Sequence, residues 1–315
     1  MDKLEALSLS ALQAGNTSHN YEVIPNWAKV PENVTLGYTH GIEVDSADRF
    51  YLFHTGTPSV VVFDRNGQYL NAWGEEFEGG AHGFYLHREA GGEFLYVTDT
   101  DKGIMVKTTL TGEHLLTIGT PDLPEIYDAE HKFVPTDVAV APNGDIYISD
   151  GYGQSWVHQY NALGDYIRSW GGKGSEMGQF ACPHGISVDL RRGEPELYVA
   201  DRGNHRIQVF TLDGQFKRAF DHDMDMPCSF YFYKDEMYFP DLYSRVTVFD
   251  KHDRLVTHLG EDRQAKLQEG WPNLDKAYYR ANKFSSPHGI CVDSRGDVYV
   301  AEWISDGRLT KLARR

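Results

Sequence analysis

Four histidines stand at the same point of a recurring pattern, each followed by glycine and an apolar residue: Thr39-His40-Gly41-Ile42, Ala81-His82-Gly83-Phe84, Pro183-His184-Gly185-Ile186 and Pro287-His288-Gly289-Ile290. Two further copies, Pro135-Thr136-Asp137-Val138 and Pro227-Cys228-Ser229-Phe230, carry Thr136 and Cys228 at the histidine position. Neutral imidazole is a ligand for zinc and other divalent transition metals, and three imidazoles on one face leave coordination positions open for chemistry. Dozens of residues separate these histidines in the chain, so only a radial repeat that places one equivalent residue per unit around a common axis unites them. In a ring of six units, His82, His184 and His288 occupy alternate units, a third of a turn apart, and form the expected metal set. His40 breaks that threefold pattern and is a candidate fourth ligand, a donor behind the ligands, or a substrate contact. The competing reading is that polar head residues merely line a tunnel and that His-Gly suits a crowded strand start.

The elements that must position these residues follow from the spacing of the heads, 42 to 60 residues, which brackets one four-stranded propeller blade. After each head comes a polar turn such as Asn143-Gly144-Asp145, then a second strand of aromatic and β-branched residues, as in Ile146-Tyr147-Ile148 or Val298-Tyr299-Val300. That strand ends on an acid in five units: Asp99, Asp150, Asp201, Asp241 and Glu302. A third strand follows, then a tight turn such as Asp64-Arg65-Asn66-Gly67, and an outer strand closing on Trp73-Gly74, Ile118-Gly119, Trp170-Gly171 or Leu259-Gly260. The pattern predicts one all-β domain over residues 1–315, a six-bladed β-propeller. The last unit stops at Arg315 short of a full set of strands, so Tyr21-Glu22-Val23-Ile24 is expected to supply its outer strand and close the ring. The first 20 or so residues read as an extension. Residues 121–133 lengthen one link, and 261–285 form a charged insert between units five and six, the kind of segment that serves as a cover or a mobile loop.

Composition bounds the rest. A hydrophobic fraction of 41% with 13% aromatics supplies an ample core, so any metal is functional or local rather than needed for folding. No apolar run resembles a signal or a membrane span, and three cysteines cannot all pair within the chain, which reads as cytoplasmic. A net charge of −16 without a basic cluster argues against nucleic acid. A small-molecule substrate is the expected partner, a protein partner stays open, and the oligomeric state is not specified by the sequence.

The runs Phe133-Val134-Pro135-Thr136-Asp137-Val138-Ala139-Val140, Ile148-Ser149-Asp150-Gly151-Tyr152, Pro183-His184-Gly185-Ile186 and Tyr198-Val199-Ala200-Asp201-Arg202 through Arg206-Ile207-Gln208 resemble the peptidyl-α-hydroxyglycine α-amidating lyase family and carry the broader signature of NHL repeats. The resemblance is strongest over residues 80–210. It implies a six-bladed propeller with zinc on His82, His184 and His288, Tyr152 as the base that takes the substrate hydroxyl proton, and Arg202 as its support, lowering the phenol pKa. Read without the resemblance, Tyr152 is one packing tyrosine among 19 and Arg202 a partner for Asp201.

Three departures stand out. The family's substrate-holding Arg in unit one corresponds to Thr55, in the run Phe53-His54-Thr55-Gly56, and threonine cannot make a bidentate pair with a carboxylate. The family's structural calcium, held by backbone oxygens at Ile42 and Phe84 and by an Asp, meets Gly289 at the Asp position, so that calcium is not expected here. A family disulfide falls on Phe133 and Gly153. The expectation is therefore a metal-dependent lyase working on a different small hydroxylated or carbonyl substrate, with His40, His54 and Thr55 as candidate substrate contacts. A metal-dependent hydrolase and a non-catalytic NHL-type interaction platform are the alternatives; a calcium-dependent sugar or lactone hydrolase is disfavoured because such sites use carboxylates and Asn.

Overall fold

Each unit forms an antiparallel four-stranded blade, because its apolar runs are short, β-branched and separated by Gly and Asp turns. The computed structural model describes residues 13–14 and 19–315. Blade one runs Thr39–Val44, Phe50–His54, Val60–Phe63 and Tyr69–Trp73 from axis to rim, and four more blades repeat that order. Blade six has three strands of its own, Pro287–Val292, Val298–Glu302 and Arg308–Arg314, and takes Tyr21–Ile24 as its fourth. Tyr21 pairs with Arg314 and Ile24 with Lys311, so the ring closes as expected, and Gln13–Ala14 adds a short strand outside. The remaining positions of the N-terminal extension lie outside the described residues.

Burial grades outward along each blade. The inner strand Thr39–Val44 is buried along its whole length, whereas the outer strand Tyr69–Trp73 is mostly exposed. The core is divided into six seams, each between neighbouring blades: Phe53 and Val60 meet Phe84 and Val97 across one, and Tyr198 and Ile207 meet Met237 and Phe239 across another. One fully buried tyrosine recurs on the second strand of every blade: Tyr51, Tyr96, Tyr147, Tyr198, Tyr238 and Tyr299, of which Tyr96 and Tyr51 are 2% exposed. Five place their hydroxyl on a carboxylate, as Tyr51 does on Asp45 at 3.1 Å and Tyr299 on Asp293 at 3.1 Å.

The acids that end the second strands are staples. Asp150 accepts the backbone N–H groups of Val134 (2.7 Å) and Gln154 (2.6 Å), joining the chain that enters blade three to the loop that leaves its second strand. Asp201 does the same for Ala181 N–H (2.7 Å), and Glu302 for Ser285 N–H (2.6 Å). Each carboxylate thus ties a head to the loop beside it through charge-assisted bonds. The segment 121–133 feeds one staple: buried Tyr127 donates its hydroxyl to Asp150 at 2.8 Å.

The insert 261–285 has one short 3-10 turn, Ala265–Leu267, and otherwise turns and bends; no α-helix occurs among the described residues. Its polar groups bind the propeller instead of pairing along a helix. Asn273 donates to the Tyr38 hydroxyl (2.8 Å) and accepts from Ser305 N–H (2.8 Å), and Ser244 Oγ of blade five donates to Ser285 O (2.8 Å), which also takes the Trp271 indole N–H of the insert itself (3.0 Å). It is a cover over blades five, six and one.

Ring closure rests on Tyr21, which is fully buried in the seam between blades five and six and lies 3.4 Å, hydroxyl to hydroxyl, from Tyr238. Truncating a buried aromatic costs about 3–5 kcal/mol, so Tyr21→Ala should lower the free energy of urea unfolding by about that amount. A loss below about 1 kcal/mol would mean that the N-terminal strand does not hold the ring shut.

Candidate functional site

The four histidine heads break the strand pairing. Thr39 pairs with His54 and Gly41 with Phe53, leaving His40 unpaired between them, and the register shifts likewise around His82, His184 and His288. A bulge of this kind re-aims a side chain, here into the axis. The glycine after each histidine is required by crowding. A Cβ at Gly185 would lie 2.1 Å from Cys228 O, and one at Gly289 would lie 2.5 Å from His40 O.

Three imidazoles are then locked by one repeated hydrogen bond. His82 Nδ1 donates to Thr136 O (2.6 Å), His184 Nδ1 to Cys228 O (2.8 Å) and His288 Nδ1 to His40 O (2.9 Å). Each carbonyl belongs to the head of the next blade, and since a carbonyl can only accept, Nδ1 carries the proton and Nε2 keeps its lone pair. Ring centroids of His82, His184 and His288 lie 4.8, 4.8 and 5.2 Å apart. Burial holds all three imidazoles neutral: it drives His82 and His184 well below the usual histidine range and His288 down to about 3. Neutral, pre-oriented imidazole is the ligand form.

His40 joins the cluster, its ring 4.5 Å from His82 and 4.7 Å from His288. Its buried Nδ1 has no hydrogen-bond partner, and its ligand atom groups with those of His82 and His288 within 4.8 Å. A second group within that limit is His184, Cys228 and His288. The Cys228 thiol is the donor that the histidine pattern alone passes over, although it sits at a repeat head and could be found by aligning the heads rather than the histidines.

Tyr152 and Arg202 reach this cluster from the loops after the second strands of blades three and four. The Tyr152 hydroxyl lies 3.1 Å from His82 Nε2 and 3.2 Å from His184 Nε2, and Arg202 Nη2 donates to it at 3.1 Å. One hydroxyl proton cannot serve two Nε2 acceptors, so the imidazoles are underprovided with donors, a set suited to a divalent cation. Burial pushes the Tyr152 phenol up, and Arg202 only partly pulls it back. The guanidinium acts in the expected direction, favouring the ionised phenol, but burial outweighs it. Arg202 also donates to Cys182 Sγ at 3.6 Å. The three cysteines are free, and hydrogen bonds hold the Tyr152 loop beside Phe133: Tyr152 N–H to Val134 O (3.3 Å) and Gln154 Nε2 to Lys132 O (3.3 Å).

His54 and Thr55 bind the backbone beside them. His54 Nδ1 accepts the N–H groups of Gly37 (3.2 Å) and Gly56 (3.0 Å), while Thr55 Oγ1 accepts that of Tyr38 (2.9 Å). His54 has no exposed surface, and burial lowers it to about 4. Through these bonds both side chains brace the chain entering blade one.

A cavity of about 30 Å³ among the heads is lined in part by Asp137, which accepts Ile186 N–H at 3.1 Å and is pushed up to about 7 by burial. Asp137 stands where the histidine heads have glycine. A side chain at Gly289 would strike His40 O, and among the described residues Asp137 is the one carboxyl that lines this cavity.

If the imidazoles hold a cation, His184→Ala should remove stoichiometric metal, measured by elemental analysis after purification without added metal, while far-UV circular dichroism stays unchanged. Full metal content in a variant with alanine at His82, His184 and His288 together would exclude the site.

The NHL repeat family model matches residues 180–210 and 284–307. NHL repeat-containing protein 3 of Homo sapiens is 30% identical over 203 residues, covering 61% of this chain and 57% of that protein. Peptidyl-alpha-hydroxyglycine alpha-amidating lyase 1 of Drosophila melanogaster is 26% identical over 330 residues, covering 90% of this chain and 58% of the relative. The chain thus spans less than two thirds of either protein. A gluconolactonase structure from Xanthomonas campestris superposes with a TM-score of 0.64 at 13% identity, covering 95% of this chain and 91% of that one, and shares the fold. With its six blades, its NHL repeats and its likeness to relatives of that name, this chain is an NHL-repeat propeller similar to the peptidyl-α-hydroxyglycine α-amidating lyases.

Proposed function

We propose that the protein is a metal-dependent lyase, with zinc the expected ion, that cleaves a small substrate carrying a hydroxyl beside a labile bond. The reading is carried by one observation: Tyr152 places its hydroxyl between His82 Nε2 and His184 Nε2 while Arg202 donates to the same oxygen. Bound at these imidazoles, the ion would supply Lewis acidity toward a substrate oxygen. His82, His184 and His288 would hold it; His288 belongs to both sets of ligand atoms that lie within 4.8 Å of one another, with His40 and His82 in one and with His184 and Cys228 in the other, so His40 and Cys228 would compete for positions on the ion. Tyr152 acts as the base for the substrate hydroxyl proton, and Arg202 favours the phenolate by its charge. In the cleavage of an N-acyl carbinolamine the hydroxyl proton leaves, a C=O bond forms, the C–N bond breaks and the amide nitrogen takes a proton; no oxidant or reductant enters.

Replacing Tyr152 by Phe keeps the ring and removes the ionisable oxygen. Tyr152→Phe should retain fold and metal and lose about 10²- to 10⁴-fold in kcat, with a smaller loss for Arg202→Met. Near-normal turnover in Tyr152→Phe would remove it from the mechanism.

Substrate choice departs from that of the amidating lyases. Thr55 offers no cation, and its Oγ1 accepts Tyr38 N–H. Conversion of an N-acylated α-hydroxyglycine to amide and glyoxylate should be slow or absent. Turnover matching a dedicated amidating enzyme would overturn this part of the reading.

A further inference from the structure

The loops that deliver Tyr152 and Arg202 recur on every blade, and their positions can be compared. Tyr243 follows Asp241 by two residues as Tyr152 follows Asp150, and Trp303 follows Glu302 directly as Arg202 follows Asp201. Tyr38 precedes His40 by two residues at the entry to blade one. Taken around the mouth, blades three and four present the catalytic pair, and blades five, six and one present Tyr243, Trp303 and Tyr38.

These three rings join through Trp271 of the insert into one continuous row. Centroids are 5.3 Å apart for Tyr38 and Trp303, 6.3 Å for Trp303 and Trp271, and 5.8 Å for Trp271 and Tyr243. Lys266 Nζ caps the row 4.0 Å from the Tyr243 ring. All four rings are partly exposed, and the polar tips of two are held: Asn273 donates to the Tyr38 hydroxyl and the Trp271 indole N–H is bound to Ser285 O. Fixed, partly exposed aromatic faces recognise flat apolar groups with little loss of side-chain freedom.

We propose that Tyr38, Trp303, Trp271 and Tyr243 form a substrate subsite for a planar aromatic group, so that the substrate is an aromatic acyl derivative without a carboxylate beside the scissile bond. The inference rests on the lyase reading for the position of that bond. The aromatic arm lies against blades five, six and one while the hydroxyl points to Tyr152 across the mouth. Binding energy that an Arg clamp would draw from a carboxylate comes here from ring stacking.

The test uses ligands that cannot react, N-benzoylglycinamide and N-acetylglycinamide, titrated calorimetrically into the protein as purified. Benzoyl should bind at least about tenfold more tightly than acetyl, the ratio expected of one seated aromatic ring. Trp303→Leu and Trp271→Leu should reduce that ratio below about threefold, and Trp303→Phe should keep most of it. Equal affinities in the unaltered protein, no detectable binding of the benzoyl compound, or a full tenfold ratio in both leucine variants would each overturn the subsite. The comparison of the two ligands in the unaltered protein stands even if a variant fails to fold. Because neither ligand carries the scissile hydroxyl, failure of the lyase reading would appear separately, as no turnover of the hydroxylated benzoyl compound by a protein that still prefers benzoyl.

Discussion

The hydrogen bond from each alternate imidazole to the carbonyl of the next head is the interaction on which the site depends. His82, His184 and His288 each spend Nδ1 on a neighbouring blade, which turns Nε2 inward and fixes the tautomer. The bond requires close inner strands, and close inner strands require glycine after the histidine: Gly83, Gly185 and Gly289 have no room for a Cβ. Packing at the axis and preparation of the site are one constraint. A residue larger than glycine at any of these positions separates two blades and releases an imidazole.

The repeat made the fold readable. Heads, acid-ended second strands and Gly-Asp turns are local signals, and even the closing strand Tyr21–Ile24 follows from a last blade that runs out of chain. The site was readable where it obeyed the repeat, as with the four histidines. The bulges that aim them were not, because a register shift depends on the partner strand and leaves no mark in composition. The backbone bonds of His54 and Thr55 were hidden for a related reason: their position near the head is visible, but their contacts with the N–H groups of Gly37, Gly56 and Tyr38 arise only when two loops meet. Asp137 and Cys228 stand in aligned heads but are not histidines, so a repeat of imidazoles does not point to them. Trp271 had no equivalent to align with, being in an insert.

The departures from the amidating lyases form a consistent set. Unit one loses a cation at Thr55 and gains an imidazole at His40, whose Nδ1 remains buried and unpartnered. Among the heads, Gly289 carries no carboxyl group and Asp137 of blade three does. The imidazoles stay in place while what lies around them differs from blade to blade.

The closing strand also sets an order of assembly. Tyr21–Ile24 precedes five whole blades in the chain and its partner Arg308–Arg314 follows them, so the pair that shuts the ring joins segments far apart in sequence and carries the largest loop-closure cost. Blade six carries His288, Glu302 and Trp303. The third imidazole therefore takes its place beside the other two only as the most distant contact of the propeller forms.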